Sequence, residues 1–397
     1  MGGNGGGAAG IVAGGTPAPA DPASPRAAPA WDRFAGVSPL AARLILALLA
    51  ICLAAAALVP IGTGRPEPAT RSFAENLAAR EGVQRPRDDD LALYDRAVER
   101  LRRGEHYYDF IVEEQRAAGF PVRPGVAVRL PTLAWINAAL PVPAQVALAL
   151  ALMAATLIAW WRRLGEEPGG RRHRLLAMAL LFVGVSLGAN RYFFQLHELW
   201  SGMLLALAFG LHRPGKWGAA LAVAALALAI REHALPFVLL MAAMAGWRRD
   251  AKECAAWSAL ALAFLALFAA HLSLVAGHVL PGDRAGQGWL MLRGLSGWLS
   301  NVVLSSNLRL LPHWLAGPAV VLMMAGSAGW RSPAGLFASL LYAGYGLLFM
   351  IAGRGDNYYW GAMVAPAMFV GLAFAPTALG SLWRAGWRPA LPPVNAK

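Results

Sequence analysis

Ten hydrophobic stretches run along the chain, at about 39–60, 132–160, 175–190, 198–212, 217–231, 234–247, 254–279, 312–329, 334–352 and 360–381. A bilayer core of roughly 30 Å takes about 20 apolar residues per helix. The pattern therefore predicts an all-α polytopic bundle of about ten transmembrane helices. The pair 217–231 and 234–247 is short. Lys216 at one outer end, with Arg248 and Arg249 at the other, makes it a hairpin whose tip is Arg231-Glu232-His233. A further apolar set, Trp289, Leu290, Leu292, Leu295 and Trp298, predicts an interfacial helix within 282–311.

The long polar loop 61–130 has a helical period of its own. Leu91, Tyr94, Val98 and Leu101 fall on one face, with acids at the start and Gly104 at the end. Tyr108, Ile111, Val112 and Gln115 repeat the design, and Gly119 closes it. Two short amphipathic helices are expected here, lying on the membrane surface or capping the bundle.

The short loops sort into two alternating sets. Residues 161–174, 212–217, 247–253, 330–332 and 383–388 are rich in Arg and Lys, which marks the cytoplasmic face. Residues 190–198, 231–233, 282–284 and 353–360 carry acids, histidines and aromatics. That second set faces the other side together with loop 61–130, so reactive side chains concentrate on the periplasmic or exterior face of an inner membrane. The expected organisation is a Gly/Ala/Pro-rich disordered cytoplasmic tail at 1–36, a transmembrane domain at 37–385 and a short cytoplasmic tail at 386–397.

The chain is 57% hydrophobic and 14% charged, which excludes a lone soluble core. Its net charge of +13 sits mostly in loops flanking the helices, where it sets topology and meets anionic lipid heads. Nucleic acid is not an expected partner; membrane lipids are. Cys52 and Cys254 lie in or beside membrane helices without paired spacing, so neither a disulfide framework nor a zinc site is expected. No nucleotide-binding glycine loop and no HExxH, CxxC or GxSxG motif is present.

Asp88, Asp89 and Asp90 open the first outer helix. They serve as N-cap and helix-dipole partners, or one of them takes a proton from an acceptor hydroxyl as general base. His197 and Glu198 sit at the mouth of one crossing and Arg231, Glu232 and His233 at the hairpin tip. Each cluster reads as local capping and pairing, or as a functional group at the membrane boundary. Arg354, Asp356, Asn357, Tyr358 and Tyr359 form either a turn with belt aromatics or a phosphate grip with polar groups that orient a sugar. Arg129 is a phosphate ligand or an interfacial anchor. Clustered acids are compatible with a divalent metal such as Mg or Mn, but no ligand spacing demands one.

The run Asp90-Leu-Ala-Leu-Tyr94-Asp-Arg-Ala, then Gly104-Glu-His-Tyr107-Tyr108, then Arg129-Leu-Pro131-Thr, resembles the first outer loop of polytopic glycosyltransferases of the GT-C class. The likeness is greatest to bacterial families resembling polyprenyl-phosphate-mannose-dependent mannosyltransferases, and it spans about 45 residues. It implies a GT-C-like bundle with two outer amphipathic helices, a polyprenyl-phosphate sugar donor, and transfer to a glycan or lipid acceptor outside the cytoplasm. It makes Asp90 the catalytic acid, with Asp89 and Glu198 as further catalytic candidates. Arg129, Arg231, Arg354, His197, His233, Asp356, Asn357, Tyr358 and Tyr108 are then candidates for donor phosphate and substrate binding. Two other classes compete. A transporter or flippase for an amphipathic substrate predicts inverted repeats and broken helices near the midplane. A non-catalytic scaffold of envelope glycan assembly predicts that the outer acids tolerate replacement.

Overall fold

A computed structural model describes Gly2, residues 32–62 and residues 88–387. Most of the expected N-terminal tail, loop residues 63–87 and the C-terminal tail from 388 lie outside the described residues. The described residues are helical, joined by turns and a few isolated bridges, with no named strand among them.

Six helices are long and apolar enough to cross a membrane: α1 (Pro39–Leu58), α5 (Val142–Glu166), α6 (Gly170–Val185, continued as a 3-10 turn to Ala189), α10 (Ala251–Ala276), α13 (Pro333–Ile351) and α14 (Ala365–Gly386). The protein is thus an all-helical fold of membrane type. Their starts are written locally. Ser38 and Ser332 cap α1 and α13 ahead of a proline in the first turn, and Asp250 caps α10. The outward side of α1 is unpartnered, with Leu44, Leu48 and Ile51 exposed, as expected of a lipid-facing helix.

Shorter apolar helices complete the bundle: α7 (His197–Leu211), α8 (Gly218–Ile230), α9 (Leu235–Trp247) and α12 (His313–Gly329). Helices α8 and α9 have 13 residues each, about 20 Å at 1.5 Å per residue, well short of a bilayer core. The tip between them therefore ends inside the protein, and Arg231 is 1% exposed.

The two amphipathic helices form as expected, α2 (Asp89–Arg102) and α3 (Tyr107–Ala117). Gly104 and Gly119 close them at φ +87° and +74°, the left-handed conformation that favours glycine. The buried faces are shifted from the expected ones. Leu93 and Ala97 join Leu91 and Val98, and Tyr107 and Phe110 are buried where Tyr108 is only partly so. Both helices pack into a small second core with Val122, Val128, Ala134 and Val275, so they cap the bundle. Tyr108 Oη lies 3.0 Å from His271 Nδ1 and His271 Nε2 3.2 Å from the Val128 carbonyl, a relay that pins α3 to α10.

Four expectations need correction. The stretch 132–160 is two helices, α4 (Thr132–Ala139) and α5, because Pro141 forces Leu140 into an extended conformation. The stretch 360–381 opens with a 3-10 segment, Gly355–Met363, before α14. Trp289 to Arg293 lie outside any helix; Met291 N and Arg293 N donate to the carbonyls of Ile351 and Met350, and Gly353 N donates to that of Trp289. The helix in that region, α11 (Gly294–Leu304), buries Leu299, Ser300 and Asn301 in the interior. Lastly, residues 32–36, assigned to the tail, are a docked 3-10 turn: Asp32 is buried and Arg33 donates to the Trp330 carbonyl.

Candidate functional site

Several of the acid- and aromatic-rich connections meet at one end of the bundle. There a cleft of about 920 Å³ opens. Its lining combines the first turns of α2 (Asp88, Asp89, Asp90, Tyr94), Arg129, the hairpin tip Arg231-Glu232-His233 and the segment Arg354 to Trp360. Residues separated by more than 260 positions, Asp90 and Asp356, therefore share one pocket.

Asp90 is the cleft's central carboxylate. Burial pushes its pKa above the ordinary carboxylate range, Glu198 and Asp356 push the same way, and Arg129 and a hydrogen bond from Tyr359 oppose them. The Tyr359 hydroxyl accepts from Arg129 Nη2 at 3.4 Å and from Asn357 Nδ2 at 3.2 Å, which leaves its own proton available to Asp90. Burial raises the phenol to about 12, which keeps it a donor at neutral pH. Asn357 is itself fixed, since its Oδ1 accepts from Arg354 N at 3.1 Å.

Beneath the cleft lies an ion network. Glu198, 1% exposed, sits 2.7 Å from Arg231 Nε and 3.6 Å from Arg129 Nη2. Arg231 also pairs with Glu232, and Glu232 Oε1 lies 3.1 Å from His233 Nδ1. Arg129 Nε donates to the Tyr94 hydroxyl at 3.0 Å. A buried charge survives only when paired, and here two guanidiniums meet two carboxylates in a closed set. Arg129 and Arg231 are thus already engaged with protein acids. Two other guanidiniums stand at the cleft with lighter commitments. Arg354 Nε reaches Asp356 Oδ1 at 3.3 Å, and Arg309 lies over the Phe193 ring at 5.4 Å.

The sequence candidates divide accordingly. Asp89, Asp90, Arg129, Arg231, His233, Arg354, Asp356, Asn357 and Tyr358 line the cleft. Glu198 and His197 lie under it; His197 is 2% exposed, and its ring meets Tyr94 edge-on at 4.9 Å. Tyr108 is outside, tied to His271. Its assignment to substrate binding is corrected, because its hydroxyl is spent holding α3 in place. Sequence reasoning missed Arg309 and the approach of Tyr359 to Asp90, while the local pairing read for Arg231 and Glu232 is present. Tyr359 and Glu232 lie inside motifs already singled out; Arg309 lies in Asn-Leu-Arg-Leu, which carries no local signal.

Apolar walls flank the charges. Leu187, Phe193, Leu196, Leu304, Phe120 and Trp289 are among the lining residues. Leu290 and Leu292, 86% and 84% exposed, continue from Trp289. Among the described residues no group of three or more His, Cys, Asp or Glu side chains is arranged to hold a metal ion. The donor set of the cleft therefore gives no support for Mg or Mn among the described residues. No protein-family profile, curated protein or solved structure matches the chain.

Proposed function

We propose that the protein is an integral membrane glycosyltransferase of the GT-C class, a bundle of about ten crossings whose cleft faces the periplasm or exterior. It moves a sugar from a polyprenyl-phosphate donor to a hydroxyl of a glycan or lipid acceptor. One observation carries the reading: a carboxylate of raised pKa, oriented by a phenol, stands in a cleft that also offers guanidiniums and apolar walls. A donor of this kind needs those three things together.

In the proposed reaction Asp90 accepts the proton of the acceptor hydroxyl as its oxygen attacks the anomeric carbon. The bond from that carbon to the phosphate oxygen breaks, and polyprenyl phosphate leaves with the electron pair. A raised pKa suits a general base working near neutral pH. Arg309 and Arg354 take up the growing phosphate charge by charge-assisted hydrogen bonds, and Glu198 holds Arg129 and Arg231 in position below. The test is incubation of the purified protein with radiolabelled polyprenyl-phosphate sugars, with label followed into glycan, lipid and protein fractions. Transfer that persists in Asp90→Asn rejects the base. Arg309→Ala is expected to raise the donor KM about tenfold, as loss of one charge-assisted bond predicts.

A second reading has its own support. The hairpin of two short helices with a charged, buried tip is a discontinuous element of the kind transporters use. A transporter moves labelled lipid between leaflets of vesicles without forming a new glycoside. Flux without product decides for it.

A further inference from the structure

Helix α2 borders two cavities, and the second is unrelated to the chemistry above. Its first turns face the cleft, while Asp95, Arg96, Glu99 and Arg102 line a separate cavity of about 780 Å³. Val142, the first residue of the spanning helix α5, lines it too. A spanning helix begins at the headgroup level, so this cavity lies at the depth of lipid heads.

Its back wall is a fixed set of amides. Asn137, 1% exposed, donates through Nδ2 to the Phe194 carbonyl at 3.1 Å and to Gln195 Oε1 at 2.8 Å. Gln145 donates through Nε2 to the carbonyls of Asn137 and Leu140, both at 3.0 Å. These bonds settle which atom of each amide is which. They also leave Gln195 Nε2 and Gln145 Oε1 with no hydrogen-bond partner among the described residues, although both side chains are at least nine-tenths buried and line the cavity. Neither atom is sealed from solvent, so both remain open to a ligand in the cavity. A free amide donor and a free amide acceptor at the back of one cavity describe a ligand with both an acceptor and a hydroxyl.

The charge specifies the rest. Three guanidiniums line the cavity against two carboxylates. Arg96 is taken by Glu114 and Arg102 reaches the Asn137 carbonyl, whereas the Arg191 side chain has no partner among the described residues. We propose that this cavity binds a phosphorylated polyol headgroup of an anionic lipid. Arg191 and Gln195 Nε2 meet the phosphate, and Gln145 Oε1 accepts from a headgroup hydroxyl. A bound headgroup braces the same helix that carries Asp90.

The probe is phosphatidylglycerol with a fluorescent acyl chain, titrated into the full chain in detergent, with phosphatidylcholine of the same chain as control. Binding is read by anisotropy without any transfer reaction, so its outcome is separate from that of the proposed enzyme activity. Phosphatidylglycerol is expected to bind and phosphatidylcholine to bind at least about tenfold more weakly, as loss of charge-assisted bonds implies. Arg191→Ala should weaken phosphatidylglycerol about three- to tenfold. Gln195→Glu keeps the oxygen that accepts from Asn137 but replaces the donor by a repelling oxygen, and should weaken it about tenfold or more, with melting temperature recorded as a control on folding. Displacement by soluble glycerol 3-phosphate supports recognition by the headgroup alone. Lipid binding that resists displacement yet fails in both variants supports a headgroup site that also needs the acyl chains. Equal affinity for the two lipids, or binding unchanged in both variants, overturns the proposal.

Discussion

The two ends of the bundle use the same device for opposite purposes. At the cleft end the buried Glu198 holds Arg129 and Arg231. At the basic end the buried Glu253 holds His212 at 2.7 Å and Arg248 at 2.8 Å, with Trp257 Nε1 at 3.3 Å. Nearby, Arg163 is 3% exposed and donates to the carbonyls at Phe209 and His212, closing the last turn of α7. At the basic end these groups are spent on one another and on a helix end. At the cleft end the carboxylate network is a floor, and above it Asp90, Arg309 and Arg354 face open volume. A buried ion pair is thus no sign of function by itself. What separates the two regions is unspent capacity beside a cavity.

The sharpest way to break this comparison is to remove one acid from each end. Asp90→Asn is expected to lower sugar transfer by about 10²–10⁴-fold, the range of general-base catalysis. The same variant should be more stable than the native protein at neutral pH, since a carboxyl whose pKa is raised on folding destabilises the fold when ionised. That gain should shrink as pH falls through the raised pKa toward the ordinary carboxylate value of about 3.9 and be gone below it, where the folded and unfolded forms are both protonated. A stability loss at pH 7 would place Asp90 with the structural acids instead. Glu253→Ala should do the reverse. Leaving the partly buried Arg248 and the buried His212 without their acid costs up to about 3–5 kcal/mol, seen as a drop in melting temperature. Whatever protein remains folded should keep its donor KM.

A smaller effect tests how rigidly the cleft is held. A Cβ on Gly202 of α7 would stand 1.9 Å from the Ala362 carbonyl oxygen, in the segment that presents Asp356 to Tyr359. Gly202→Ala is expected to cost about 1–3 kcal/mol by overpacking. It should also lower kcat, because that segment must shift; an unaltered kcat would show that the cleft tolerates the displacement. The smallest expected change comes from Tyr359→Phe. Loss of a hydrogen bond that lowers the Asp90 pKa should move the acidic limb of the pH–rate profile to higher pH. The rate at its optimum should fall about tenfold, as loss of one orienting bond implies. A limb that stays in place would remove Tyr359 from the assignment.

Much of this architecture is legible in the chain because bilayer crossing is a local property. Helices α1, α10 and α13 lie where apolar length and capping residues put them, and Gly104 and Gly119 end α2 and α3 for reasons internal to each turn. The motifs at 88–90, 231–233 and 354–359 stand out as charges bordering apolar runs. What the chain could not show is which of those charges are used up. Tyr108 looks like a site residue until His271, 163 positions away, is seen to hold it. Arg129 and Arg231 look like free cations until both meet Glu198. Arg309 looks like nothing.

The amino-acid sequence by itself determined the helical membrane character of the fold, the two capping helices and the concentration of acids and aromatics on one set of loops. Each follows from periodicity and polarity within a few turns, where the relevant forces are local. Tertiary structure alone decided that Asp90, Tyr359 and Asp356 share a cleft, that Glu198 neutralises two guanidiniums beneath it, and that α2 divides that cleft from a second cavity. Those outcomes depend on Coulomb and hydrogen-bond contacts between residues scores to hundreds of positions apart. Such contacts form only once the helices have packed, and burial then makes every unpaired group costly.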